Sequence, residues 1–138
     1  LPYHQMQVVS QIKAKYITIA ASCGAASCIL LCYGIALYQG HVKAWLPMIS
    51  ACFNIAPESY ISRFFMISCA VLLNINSILV LSLVNSKAMF GGAKATDRFA
   101  YYLVTIGCVG LAMVGAINDQ ENNLLHSISA LLFFFMFE

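Results

Sequence analysis

Hydrophobic and polar positions in this chain separate into long blocks. Tyr16 to Tyr38 runs for 23 residues without a charge, Phe64 to Val84 for 21 and Phe99 to Ile117 for 19. As helices rising 1.5 Å per residue they reach about 34, 32 and 28 Å, against a hydrocarbon core about 30 Å thick. Each is a predicted membrane span. A fourth apolar run, Leu124 to Phe137, has 14 residues. It reads as a fourth helix cut short: Phe133-Phe134-Phe135-Met136-Phe137 would be a costly surface in water, and no helix stop follows it before Glu138. The expected fold is an all-α membrane protein with four transmembrane helices, the fourth truncated, in an up-down bundle. The helices are placed at about 16–38, 61–84, 98–117 and 123–138, within a single transmembrane domain covering 1–138. Because the chain opens on Leu1, both ends are expected to be trimmed relative to a natural protein.

Between these blocks lie two polar islands. The first comprises Gly40-His41-Val42-Lys43-Ala44-Trp45-Leu46-Pro47-Met48-Ile49-Ser50 and Pro57-Glu58-Ser59; the second is Asp119-Gln120-Glu121-Asn122-Asn123-Leu124-Leu125-His126. Basic residues set the orientation of a membrane protein. Lys13, Lys15, Lys87, Lys94 and Arg98 fall on one side of the predicted spans, and Lys43 and Arg63 on the other. The N-terminus is therefore expected in the cytosol, with both islands sharing the opposite, lumenal or exterior compartment.

Composition agrees with the pattern: 62% of residues are hydrophobic and 9% charged, with a mean hydropathy of +0.84. Charged residues alone make up about 25% of a soluble protein. The net charge of +2 is scattered and forms no basic stripe, so no nucleic-acid partner is expected. The first apolar run exceeds the roughly 7–15 residues of a signal-peptide core and is followed by further spans, which makes it a retained helix. Cys23, Cys28, Cys32, Cys69 and Cys108 fall inside spans and Cys52 alone in a loop, which argues against a disulfide framework. Ala20, Gly24, Cys28 and Cys32 recur every four positions and predict a flat packing face on helix one.

The candidate contact surface comprises His41, Pro47, Ser50, Pro57, Glu58, Ser59, Asp119, Gln120, Glu121 and His126. Each has a structural reading beside the functional one. Pro57-Glu58 suits a helix start, where proline lacks only an N–H that has no partner anyway and a carboxylate favours the positive end of the dipole. Asp119 and Glu121 precede helix four in the same way, and His126 one turn in reads as a hydrogen-bonded interfacial histidine. A metal would need three or four convergent ligands. Neither an H-E-x-x-H nor a C-x-x-C pattern is present, so no metal or cofactor is expected. A serine nucleophile at Ser50 or Ser59, with His126 as base and Asp119 or Glu121 orienting it, is chemically conceivable but has no nucleophile-elbow motif behind it. No catalytic residue is assigned. Within the membrane, Asn74 and Asn76 lie in the middle of helix two, where an unpaired amide is costly. They read first as interhelical hydrogen-bond partners and second as a polar lining for a lipid headgroup entering sideways.

Tyr33-Gly34-Ile35-Ala36-Leu37-Tyr38-Gln39-Gly40-His41-Val42, with Leu46-Pro47-Met48-Ile49-Ser50 and Pro57-Glu58-Ser59, resembles the segment joining the first two helices of the damage-regulated autophagy modulator (DRAM) family. That family belongs to a wider group including the Golgi GPI-remodelling protein and membrane scaffolds for phosphatidylinositol 4-kinase. Ile106-Gly107-Cys108-Val109-Gly110-Leu111, Asp119-Gln120-Glu121 and His126-Ser127-Ile128-Ser129-Ala130 resemble its third helix, lumenal Gln-Glu turn and His-x-x-x-Ala helix start. The resemblance implies six helices, of which this chain would hold the first four. Two acidic positions of the family pattern are Ala51 and Ser127 here, so it implies no catalytic carboxylate at either.

The expected function is that of a non-enzymatic, DRAM-like polytopic protein modulating autophagic or lysosomal membranes through lipid or protein contacts. A GPI-anchor lipid-remodelling component and a scaffold or accessory subunit of a larger membrane complex are the alternatives. Membrane lipids are the expected partners, with other membrane-protein subunits beside them. The expected location is the endomembrane system, the lysosome ahead of the Golgi or plasma membrane. Single cysteines placed at Glu58 and Lys94 in a cysteine-free background are predicted to label from opposite faces of sealed vesicles. Labelling from the same face would refute the orientation.

Overall fold

The computed structural model describes residues 3–45, 47–87 and 95–137. Lys94, used above for orientation, and Glu138, the last residue of the fourth predicted helix, lie outside the described residues. The chain forms α1 (Tyr3–Tyr38), a 3-10 turn (Ile49–Phe53), α2 (Glu58–Lys87), α3 (Ala95–Ala116) and α4 (Asp119–Phe137). The fold is all-helical, and each helix packs against the next in sequence. Pairs of touching residues run in opposite directions along neighbouring helices: Cys32 with Glu58 and Ala21 with Cys69 for α1 and α2, Asn74 with Thr105 and Met66 with Gly115 for α2 and α3. The helices alternate up and down.

Among the described residues three stretches are long and apolar enough to cross a bilayer: Ala14–Tyr38, Glu58–Asn85 and Ala95–Ala116. In hydrocarbon no water is available to the backbone, so each spanning segment must satisfy its own N–H and C=O groups, and a helix does so internally. The fourth helix opens with a polar turn, Asp119 to Asn123. Asn122 has φ −157° and ψ 92°, which breaks that turn from the rest. Its side-chain Oδ1 then accepts the Leu125 N–H at 3.0 Å and caps the longer segment that follows.

Lipid tails are as apolar as side chains, so helices in a membrane associate by close fit, with little hydrophobic drive between them. The α1 face turned inward carries Ala14, Ala21, Cys28, Cys32 and Ala36, all buried. This corrects the expected stripe: Ala20 is exposed, and the buried positions step by seven and then by four. Seven residues fall about 20° short of two turns and stay nearly in line, whereas steps of four alone drift steadily around the helix. Cys69, Ala70 and Leu111 form the shared core, with Met66, Leu73 and Phe133 around them. Asn74 Nδ2 donates to Thr105 Oγ1 at 3.3 Å, a bond between α2 and α3 of the kind worth about 0.6 kcal/mol on average. Asn76 lines a groove between the same helices, and its Oδ1 has no hydrogen-bond partner among the described residues.

The backbones of α3 and α4 come close at Gly110. A Cβ added at Gly110 would lie 2.8 Å from both the Ser129 carbonyl oxygen and the Phe133 nitrogen. Those are backbone atoms, which cannot step aside as a flexible side chain would. Gly110→Ala is therefore expected to destabilise the α3–α4 pair by roughly 1–3 kcal/mol, the usual range for overpacking. Gly34→Ala, at a helical position with nothing within 4 Å of the added Cβ, is expected to hold or slightly raise stability. Thermal unfolding in detergent checks both, and equal effects at the two glycines would contradict the packing argument.

Candidate functional site

The first island is shaped by the way α1 ends. Gly40 has φ +74°, a left-handed conformation that glycine adopts without a steric penalty. Its N–H bonds to the Leu37 carbonyl at 3.1 Å and that of His41 to Ala36 at 2.8 Å. This is a Schellman ending, which turns the chain back over the last helical turn. His41 is thereby aimed at the start of α2, where its Nδ1 lies 2.7 Å from Glu58 Oε1. Glu58 is only 1% exposed and lies in the first turn of α2, where the helix dipole favours a carboxylate. Its second oxygen, Oε2, is buried without a hydrogen-bond partner among the described residues. The Cys32 thiol donates to the Glu58 carbonyl at 3.7 Å, tying α1 to the same point. Burial pushes the Cys52 thiol above its ordinary value, and the Glu58 carboxylate adds to the effect. Cys52 packs as a buried thiol. All six cysteines are free.

The second island is a capped turn. Asn118 Oδ1 accepts the Glu121 N–H at 2.9 Å, and Glu121 Oε2 accepts the Asn118 N–H at 3.4 Å, a reciprocal capping arrangement. Glu121 Oε1 also accepts a hydrogen bond from Nη2 of Arg63, a residue of α2 that follows Glu58 in the same helix. The Asn118 amide donates at 3.1 Å to the Asn54 carbonyl in loop one, the connection between α1 and α2 (residues 39–57). These two contacts join the islands into one surface. His126 Nδ1 donates to the Ile117 carbonyl at 2.7 Å, closing the last turn of α3 onto the first turn of α4.

Of the residues singled out in the sequence, His41, Glu58, Glu121 and His126 are engaged in these bonds, while Gln120 is exposed. Asp119 is half-buried and its Oδ1 lacks a partner among the described residues. Ser59 is buried behind Glu58, with its carbonyl accepting from Ser62. Pro57 is exposed, but its carbonyl accepts the N–H groups of Tyr60 and Ile61 and so starts α2. Ser50 lies half-buried in the 3-10 turn, and Pro47 faces a groove against α1. Sequence reasoning missed Asn54, Arg63 and Asn118 as the joints. Only the Asn118-x-x-Glu121 capping pattern carried a local signal for any of them.

Chemically, the surface consists of braces. The histidine that a serine mechanism would need has its Nδ1 on a backbone carbonyl, where a triad would place a carboxylate. Among the described residues no three His, Cys, Asp or Glu side chains are placed to hold a metal ion.

The Arg63 hydrogen bond, helped by the Asn118 N–H, holds the Glu121 carboxyl below its ordinary value against the opposing effect of desolvation. A folded-state value lowered in this way stabilises above the unfolded glutamate range, near 4.3, and is lost as the pH falls through the folded value. Glu121→Gln is accordingly expected to lower the melting temperature at neutral pH and to match the wild type in strong acid. Exchanging the charges, Arg63→Glu with Glu121→Arg, should recover part of what either change loses alone. Melting curves from neutral to acid pH measure both, and a difference independent of pH would remove Glu121 from the brace.

No curated protein and no solved structure matches this chain. The family model described as Frag1/DRAM/Sfk1/Cwh43P N-terminal domain matches residues 13–138, which takes in all of the spans and both polar islands. With its helical membrane architecture already in place, the chain belongs to the Frag1/DRAM/Sfk1/Cwh43P family.

Proposed function

We propose that this protein of the DRAM/Sfk1 group works without catalysis, modulating autophagic or lysosomal membranes through lipid or protein contacts made by the joined polar surface. The observation that carries this reading is the use of the reactive-looking side chains. Glu58 is bonded to His41, Glu121 to Arg63 and Asn118, and His126 to the Ile117 carbonyl, so each holds one segment of the surface to another. The positive-inside balance supports placing this surface away from the cytosol. Ala51 and Ser127, where the family pattern carries acids, support the absence of proton-transfer chemistry.

Loss of the His126 hydrogen bond is worth about 0.5–1.5 kcal/mol. His126→Ala and Glu58→Gln are expected to reduce folded yield or displace the protein from its compartment, with any loss of autophagic flux following the amount correctly placed. GPI-anchor lipid composition, measured in cells lacking the endogenous protein and rescued with each variant, is expected to stay normal. Normal level and location combined with a complete block in anchor remodelling would overturn the non-catalytic reading and establish the lipid-remodelling one.

A further inference from the structure

Loop one has a second face, and it is apolar. Between the loop and the outer half of α1 runs a groove of about 350 Å³ lined by Ile29, Tyr33, Ala44, Trp45, Ile49 and Cys52. The α1 wall of this groove belongs to a membrane-spanning segment that ends at Tyr38. Counting back along the helix at 1.5 Å per residue, Tyr33 lies about 7.5 Å and Ile29 about 13.5 Å inward of Tyr38. The headgroup layer is only about 5–7 Å thick on each side of the hydrocarbon. Loop one therefore folds back against α1 to a level below the one at which the helix emerges.

Two further observations fit a loop seated in lipid. Trp45 is 85% exposed, Met48 78% and Ile49 56%, side by side with the groove. A contiguous apolar patch of this kind is unfavourable in water, while tryptophan and tyrosine favour the bilayer interface. Non-helical backbone at that depth also needs partners for its polar groups. Two carbonyls of the loop have such partners: that of Ala44 accepts the Tyr33 hydroxyl at 2.8 Å, and that of Met48 accepts the Ala51 N–H at 3.0 Å and the Cys52 thiol at 3.7 Å. Lys43, exposed next to Ala44, has a stem long enough to carry its ammonium back to the phosphate level.

We propose that loop one is a clasp inserted in the leaflet on its side of the membrane. Trp45, Met48 and Ile49 lie among the lipids, and a phospholipid acyl chain fills the groove between the loop and α1. This goes beyond the reading above, which concerns the polar face of the same end, and the two can fail separately.

Trp45 is the only tryptophan in the chain, so its fluorescence reports the loop without any substitution. The full chain is reconstituted in phosphatidylcholine vesicles whose acyl chains carry bromine either near the carbonyl end or near the methyl end. The expected result is a blue-shifted emission, largely lost with bromine near the carbonyl end, less affected by bromine near the methyl end, and shielded from aqueous acrylamide. Tyr33→Phe removes the hydroxyl that holds Ala44 and is expected to increase acrylamide quenching while reducing that by bromine. Should this variant fold poorly, the wild-type measurement decides by itself. Quenching by acrylamide with no response to brominated lipid would put the loop in water and overturn the proposal. Resistance to both quenchers would mean that protein covers Trp45, and would overturn it equally.

Discussion

The hydrogen bond between His41 and Glu58 fixes the geometry of the loop-one end of the bundle. It joins the third residue past α1 to the first residue of α2, and it does so around a carboxyl group that is almost entirely buried. A buried carboxyl without a partner would be strongly unfavourable. The helix dipole, the histidine and the glycine turn that aims it together make Glu58 tolerable there. With this point fixed, the intervening loop can pack its 3-10 turn against both helices and bring the Asn54 carbonyl to Asn118. Arg63, a little further along α2, then reaches Glu121. The whole polar surface follows from one clasp between consecutive helices.

Deeper in the membrane the structure rests on close fit. Alanine and cysteine side chains on α1 allow α2 to approach, and at Gly110 the backbones of α3 and α4 come near enough that even a methyl group has no room. Such contacts act by dispersion and shape, since apolar side chains gain little by leaving lipid for one another. The α3–α4 pair is anchored at its mouth as well, where His126 satisfies a carbonyl at the end of α3 that the helix itself leaves open. Packing along the pair and bonding at its end thus fix the same register.

Loop one presents unlike chemistry on its two flanks. Toward α4 it carries hydrogen-bonding groups, and toward the outside of α1 it carries Trp45, Met48 and Ile49. The division matches what a membrane surface offers, water and headgroups above and acyl chains to the side. The match to the Frag1/DRAM/Sfk1/Cwh43P family model covers residues 13–138, so loop one lies within the matched part of the chain.

Much of the fold was legible in the sequence, because spanning hydrocarbon imposes a length and an apolarity that no local detail can override. The uncharged runs beginning at Tyr16, Phe64 and Phe99 had to be helices, and the short polar stretch between the third and fourth apolar runs had to return α4 beside α3. The residue spacing Asn118-x-x-Glu121 and the glycine at 40 likewise carried their local conformations with them. Which residues met across the bundle was another matter. The buried face of α1 passes through Ala21 and leaves Ala20 outside, a rotation of 100° that small residues on every side of the helix could not specify. The pairing of His41 with Glu58, of Arg63 with Glu121 and of Tyr33 with Ala44 depended on how the chain returns after each span. Such contacts join residues far apart in sequence, at positions where neither partner carries a pattern of its own, and only the packed helices could choose between them.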